Sequence, residues 1–171
     1  MPVPRIDIDL ALPPEHRWEA IRPYREQARG LLRAQLEDLG DTARYAALAR
    51  SYVAALVPAE HRAELAAVAA LLGVSFEESA IANLTYDALK LAFGCTAFAV
   101  NTERGPLHGR NLDWSTLGGQ LARGSVLINY HHGPDLRYRV VGWPGFLGAL
   151  SGVAPGRFSV TLNAVMSEEP A

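Results

Sequence analysis

At Gly94 the hydrophobic period of the chain changes, and that change limits the fold more than any other feature. Residues 13–93 are rich in Ala, Leu, Arg and Glu, with apolar positions at helical spacing. Trp18, Ile21, Ala28, Leu32 and Leu36 fall on one helical face, and Pro23 should kink or split the helix that carries them. Gly40 reads as a helix stop and Asp41 as the next N-cap, after which helical spacing runs from Arg44 to Leu56 and halts before Pro58. Leu65, Val68 and Leu72 form a short stripe ended by Gly73. Ser75 and Glu78 have capping-box spacing, which predicts a helix from Phe76 with Ile81, Leu84, Ala88 and Leu91 on its apolar face.

Beyond Gly94 the pattern shortens to strands and turns. "CTAFAVNTERGPLHGRNLDW" reads as a hairpin with its turn over Thr102–Pro106. "SVLINYHHGPDLRYRVVGW" reads as a second, turning at Gly133–Pro134, and "GFLGALSGVAPGRFSVTLNA" as a third, turning at Pro155–Gly156. About four helices followed by about six strands predict an α+β fold rather than an alternating βαβ one. The last strand, Phe158 to Asn163, would leave an open sheet edge, so something is expected to pair with it.

The charge balance excludes some partners. With 16 basic and 18 acidic residues the chain has a net charge of −2, which gives no footprint for nucleic acid. One cysteine excludes an intramolecular disulfide and a multi-cysteine zinc site. No run of roughly 18 apolar residues is free of charge, so no membrane span is expected. "MPVPRIDIDL" lacks the layout of a secretory signal, so the expected location is cytoplasmic.

That single cysteine, Cys95, opens the first hairpin directly after Gly94. A turn near Arg104 would place Cys95 roughly opposite Asp113 and Arg110 roughly opposite Phe98. Arg110 and Asp113 are an odd number of residues apart, so a regular strand aims them at opposite faces. Both face Cys95 only if the strand ends or bulges near Leu112. By spacing alone the two also fit a surface ion pair at a strand end. A thiolate is a nucleophile favoured by a nearby cation, and Arg supports a thiolate or an oxyanion. Cysteine hydrolases usually take a His as base, and His108 shares a face with Arg110 but lies toward the far end of the hairpin. The other available base is an α-amine, with a pKa of roughly 8. Cys95 has one only if the Gly94–Cys95 bond is cut, a bond that glycine leaves open to approach.

The segment "CTAFAVNTERGPLHGRNLDW" resembles the start of the mature catalytic subunit in the acid ceramidase and N-acylethanolamine-hydrolysing acid amidase-like family. These are N-terminal-nucleophile (Ntn) cysteine hydrolases of the choloylglycine hydrolase superfamily. Cys95-Thr96 and His108-Gly109-Arg110-Asn111-Leu112-Asp113 carry the match. "IDIDLALPPEHRW", "AELAAVAALLGVSFEESAIANLTYD" and "GFLGALSGVAPGRFSVTLNA" resemble further stretches of the same family, the last its "G-x-x-G-x-L-T-G-x-x-P-G-x-F-S-x-T-L-N-E" pattern. The resemblance implies a helical pro-segment over 1–94 and, over 95–171, the first part of an Ntn-hydrolase αββα sandwich that is incomplete at its C-terminus. It implies self-cleavage between Gly94 and Cys95. The freed α-amine would then be the base for Cys95, Asp113 would orient that amine, Arg110 would position nucleophile or substrate, and Asn163 would help form an oxyanion hole. The implied substrate is a small N-acyl amide, lipid-like in its acyl chain, with no cofactor and no metal. Acyl transfer, or a non-catalytic module completed by a second chain or a second copy, are the alternatives.

Other residues read more plainly. His131, His132 and Asp135 fit a polar strand end better than a metal cluster, because adjacent strand residues point apart. Ser151 in "GALSGV" lacks nucleophile-elbow spacing and reads as a turn residue. The glycines of "GRNLDWSTLGGQLARG" match no phosphate-binding pattern and read as a loop. Trp143 and Phe146 flank a Pro-Gly pair and read as packing, with an acyl pocket as the other option. Trp18 reads as core rather than as a lipid-facing residue.

Overall fold

The computed structural model describes residues 3–89, 94–113 and 119–163. The chain opens with a strand that period-3.6 reasoning passes over. β1 (Arg5–Asp9) alternates Ile6 and Ile8 inward with charged residues outward, and it pairs in parallel with β4 (Val126–His132). A short α1 (Pro14–Arg17) and a 3₁₀ segment (Trp18–Tyr24) holding Pro23 lead into α2 (Arg25–Leu39). The proline ends up where a tighter helix tolerates it, so the apolar face from Trp18 to Leu36 survives in two pieces. α3 (Ala43–Leu56), α4 (Ala59–Leu72) and α5 (Phe76–Leu89) follow. Gly40 and Gly73 close helices at positive φ; the N-cap of α3 is Thr42 rather than the expected Asp41, whose Oδ1 nevertheless accepts the Ala43 N–H at 3.1 Å from one residue earlier. The capping box is formed: Ser75 Oγ accepts the Glu78 N–H at 3.1 Å, and Glu78 Oε2 accepts the Ser75 N–H at 2.7 Å. Of the expected apolar face of α5, Ala88 and Leu91 lie outside the residues whose side chains are described.

The second half holds the three expected hairpins: β2 (Gly94–Thr102) with β3 (Gly105–Asp113), β4 with β5 (Asp135–Gly142), and β6 (Ser151–Ala154) with β7 (Phe158–Thr161). The glycine-bearing stretch read as a loop contains one helical turn, α6 (Gln120–Arg123). Five strands form one sheet in the order β1-β4-β5-β6-β7, while β2 and β3 form a second, two-stranded sheet. The fold is thus mixed α and β. Helices come first and antiparallel strands dominate afterwards, apart from the added N-terminal strand.

One face of the five-stranded sheet builds the core with the helices. Ile6, Ile8, Val126, Ile128 and Val140 pack with Trp18, Ile21, Leu32, Val53, Val68 and Leu72, all nearly inaccessible to solvent. Burying each aliphatic side chain contributes about 1.5–3 kcal/mol. Residues on both sides of Gly94 therefore share this core. Arg17 pins the entrance of the helical layer. It donates from Nε to Leu12 O and from Nη2 to Leu10 O, both at 2.9 Å, and pairs with Glu60 and Glu64 of α4. Trp18 is 2% exposed and belongs to this core. Among the described residues no single helix is long and apolar enough to cross a membrane.

The opposite face of the sheet is set by alternation. Val140 faces the helices, so Val141 and its partner Ser151, with Ser151's partner Thr161, face away. The β2–β3 hairpin lies against this second face.

Candidate active site

The first hairpin closes more tightly than its spacing implies. Thr102 pairs with Gly105, leaving a two-residue turn. Thr102 Oγ1 donates to Gly105 O at 2.7 Å and accepts from Arg104 N at 3.2 Å, and Gly105 takes φ 105°. The register therefore moves by one residue from the expected one. Cys95 lies opposite Leu112, Arg110 opposite Ala97, and Asp113 opposite Gly94. No bulge interrupts this ladder, so the two charged residues stay on opposite faces. Arg110 shares the face of Cys95. Asp113 sits on the outer face, where its carboxylate accepts from Asn111 Nδ2.

Arg110 is the hub of the inner face. Its Nη2 donates to Cys95 Sγ at 3.7 Å and to Leu162 O at 2.8 Å, and its Nη1 donates to Ser151 Oγ at 3.3 Å. One guanidinium thus joins the cysteine, the start of β6 and the end of β7. A planar fork of fixed donors suits such a three-way contact better than a single ammonium. Leu162 N in turn donates to Leu150 O at 2.9 Å, which ties the end of β7 beside β6 and places Asn163 immediately beyond the Arg110 contact. Asn163 Oδ1 and Arg110 Nε are both buried without a hydrogen-bond partner among the described residues. Unsatisfied buried polar atoms cost free energy, and Trp18 Nε1, Arg29 Nε and Asn129 Oδ1 share that condition elsewhere in the fold. The structure brings Cys95 and Arg110 into contact and sets Asn163 one residue beyond the Leu162 carbonyl that Arg110 holds. It sets Asp113 across the ladder from the backbone of Gly94.

His108 also faces inward, but it is committed to the second sheet. Its ring nitrogens lie 2.8 Å from Ser159 Oγ and 3.3 Å from Thr161 Oγ1. It is two residue pairs removed from the Arg110 pair toward the turn, so it braces the two sheets rather than serving the thiol. Phe98, on the outer face, covers Gly109: a Cβ at Gly109 would lie 2.5 Å from the Phe98 ring. That is the local reason for glycine next to Arg110 in the motif.

Ser151 was read as a turn residue. It is instead the first residue of β6, bonded to Arg110 and lining the cleft beside it. Its signal was present in the resemblance, where Ser151 stands at the threonine of the "L-T-G" pattern. Trp143 and Phe146 do pack as expected, edge to face with centroids 5.2 Å apart, and Trp143 Nε1 donates to Leu121 O at 2.8 Å. Trp143 also lines the cleft, whereas Phe146 does not. His131 Nε2 lies 3.1 Å from Asp7 Oδ1 at the β1–β4 pairing, and His132 pairs with Asp135 across the second hairpin.

Between the hairpin and the second face of the large sheet is a cavity of about 540 Å³. Arg110 and Leu112 line it from the hairpin, with Leu127, Val141, Leu150 and Ser151 on the other wall. It is apolar with a few convergent polar groups, the usual composition of a small-molecule site. A half-buried thiol beside a fixed cation, a buried amide side chain and an adjacent apolar cleft can support attack on a carbonyl and hold the oxyanion that results.

No family model matches the chain. Among curated proteins, acid ceramidase of Bos taurus is 25% identical over 182 residues, covering 95% of this chain and 45% of that protein. N-acylethanolamine-hydrolyzing acid amidase of Cavia porcellus is 28% identical over 164 residues, covering 92% of this chain and 45% of that protein. The Caenorhabditis elegans protein of the same name is 25% identical over 167 residues, covering 92% of this chain and 47% of its own length. The chain is therefore similar across nearly its whole length to acid ceramidases and N-acylethanolamine-hydrolyzing acid amidases, and it spans just under half the length of these relatives.

Proposed function

We propose that the chain carries the nucleophile half of a self-processing cysteine amidohydrolase that cleaves a linear N-acyl amide. The observation that carries this reading is the contact of Arg110, a residue that lines an apolar cleft, with Cys95 Sγ. The relatives' names, ceramidase and amidase, are those of amide-bond hydrolases. In the first step the Cys95 thiol adds to the Gly94 carbonyl, the C–N bond breaks, and the acyl group moves to sulfur while the thiol proton passes to the nitrogen, which leaves as the α-amine. Water then hydrolyses the thioester, leaving a Gly94 carboxylate and a free α-amine on Cys95. That amine takes the thiol proton as Sγ attacks the substrate carbonyl, then gives it to the departing amine. A second water releases the fatty acid and restores the thiol. Asp113 lies across the ladder from Gly94, so its carboxylate suits the charge of the new α-ammonium rather than the thiol on the other face. Asn163 serves the oxyanion, a contact typically worth on the order of 10²–10³ in rate. Residues 1–94 act as the pro-segment, and the two stacked sheets act as the centre of an Ntn sandwich.

Intact-mass measurement after incubation at neutral and acidic pH tests this. Two fragments meeting at Gly94/Cys95, absent in Cys95→Ala, are expected. Asp113→Asn should still cleave itself yet turn over N-acyl amides slowly. A chain that never cleaves and whose thiol resists an amide-mimicking electrophile would sink the reading.

A second reading, a non-catalytic module that pairs with another chain, is favoured by one observation. β7 lies at the sheet edge, where Phe158 and Val160 are 55% and 49% exposed.

A further inference from the structure

The cleft beside Arg110 contains a second guanidinium that the catalytic reading leaves idle. Arg139 lies on β5, and its register partner on β6 is Val153, two residues along from Ser151. Ordinary sheet dimensions put Arg139 roughly 8 Å from Ser151 between Cα positions, one strand over and two residue pairs along. It faces the same side as Val141 and lines the same cavity. No hydrogen bond or ion pair joins its side chain to any described residue, whereas the two terminal nitrogens of Arg110 are engaged by Cys95, Ser151 and Leu162. Among the described residues no carboxylate lines the cavity. The one carboxylate on Arg139's own row of the sheet, Asp7, accepts from Asn129 Nδ2 at 2.8 Å and lies 3.1 Å from His131 Nε2. Those bonds, that from Asn129 foremost, hold the Asp7 carboxyl below its ordinary range, so it stays with them.

The cleft walls near Arg139 are apolar, and Val141 and Val153 are 52% and 42% exposed along them. A neutral, wholly apolar ligand would use these walls and leave the guanidinium unused. A ligand with an apolar chain and a carboxylate a few bonds from its amide would use both, with the carboxylate on a bidentate fork. We infer that Arg139 makes this cleft selective for N-acyl amides bearing an anionic group on the amine side, N-acylated amino acids first among them. The inference rests on the proposed amidase reading for the amide, but the binding it invokes does not require cleavage.

Calorimetric titration of full-length Cys95→Ala protein separates the two. The probes are N-dodecanoylglycine and N-dodecanoylethanolamine, which share a chain and differ in a carboxylate against a hydroxymethyl group. The expected result is on the order of tenfold tighter binding of the glycine conjugate. That preference should vanish in Arg139→Gln and persist in Arg137→Gln, whose residue lies on the same strand but outside the cavity. Equal affinities, a preference unchanged by Arg139→Gln, or no binding of either probe would each overturn the inference. Selective binding together with a wild-type chain that never cleaves itself and whose thiol resists an amide-mimicking electrophile would uphold the anionic site and defeat the hydrolase reading.

Discussion

Replacing Arg110 by Gln removes the cation that touches the Cys95 sulfur and keeps much of the side-chain volume. The separation is 3.7 Å. At that distance a unit charge pair is worth about 1 kcal/mol with the screening of water and about 4.5 kcal/mol at an effective dielectric constant of 20. Cys95 and Arg110 are both half-buried, which places the pair nearer the screened limit. A loss of about 1.4 kcal/mol in thiolate support corresponds to a tenfold smaller thiolate fraction below the thiol's titration. Because the chain has a single cysteine, iodoacetamide consumption at neutral pH reports this site alone. Arg110→Gln should alkylate about tenfold more slowly than wild type, and the two rates should converge in denaturant. Arg110→Lys should fall between them. It keeps the charge but cannot hold Ser151 Oγ and Leu162 O together with the sulfur. Equal native-state rates for Arg110→Gln and wild type, with unchanged circular dichroism, would refute the claim that Arg110 tunes the thiol.

Three further outcomes concern the scaffold. Arg17→Met should cost about 3–5 kcal/mol in urea unfolding, because it strands the buried Glu64 carboxylate, and adding Glu64→Gln should recover much of the loss. Ser75→Ala should lower stability by about 1 kcal/mol by opening the capping box. Bonds from Ser75, that from its backbone N–H foremost, hold the Glu78 carboxyl below its ordinary 4.5. A depressed carboxylate stabilises above its unfolded pKa, so this contribution should be complete above that value and be lost as pH falls through the folded one. Thermal melts of wild type and Glu78→Gln from pH 6 to pH 3 should therefore converge. Gly124→Ala should cost about 1–3 kcal/mol by calorimetry, since its Cβ would meet buried Leu31 at 2.7 Å and the Gln120 carbonyl at 3.1 Å.

Local signals carried much of the architecture and stopped where partners are distant. Helix stops at Gly40 and Gly73, the Ser75–Glu78 box and the glycine turns at Gly133 and Gly156 are each decided within a few residues, and each is found in place. β1 was missed although "RIDID" alternates with period two. Five residues carry only two alternations, and the parallel pairing that makes them a strand lies more than a hundred residues away at β4. Ser151 was misread for a related reason: its neighbours say turn, and only the stacking of one sheet on another brings Arg110 to its hydroxyl.

The hairpin shows how much a single turn decides. Taking the turn as longer than two residues made Cys95 and Asp113 opposite partners, which would have placed thiol and carboxylate side by side. The two-residue turn at Glu103–Arg104 slips every pair by one and sends Asp113 to the outer face. The same slip leaves Arg110 and Cys95 on one face, because they sit on cross-strand positions whose partners, Ala97 and Leu112, alternate with the same parity. A cation fixed by the second sheet and a carboxylate facing the Gly94 backbone are therefore separate devices. The first acts on the sulfur before and after any cleavage. The second has a charge to answer only once the Gly94–Cys95 bond is cut. Thiol reactivity should follow Arg110 in the intact chain, while Asp113 should matter only to the processed one.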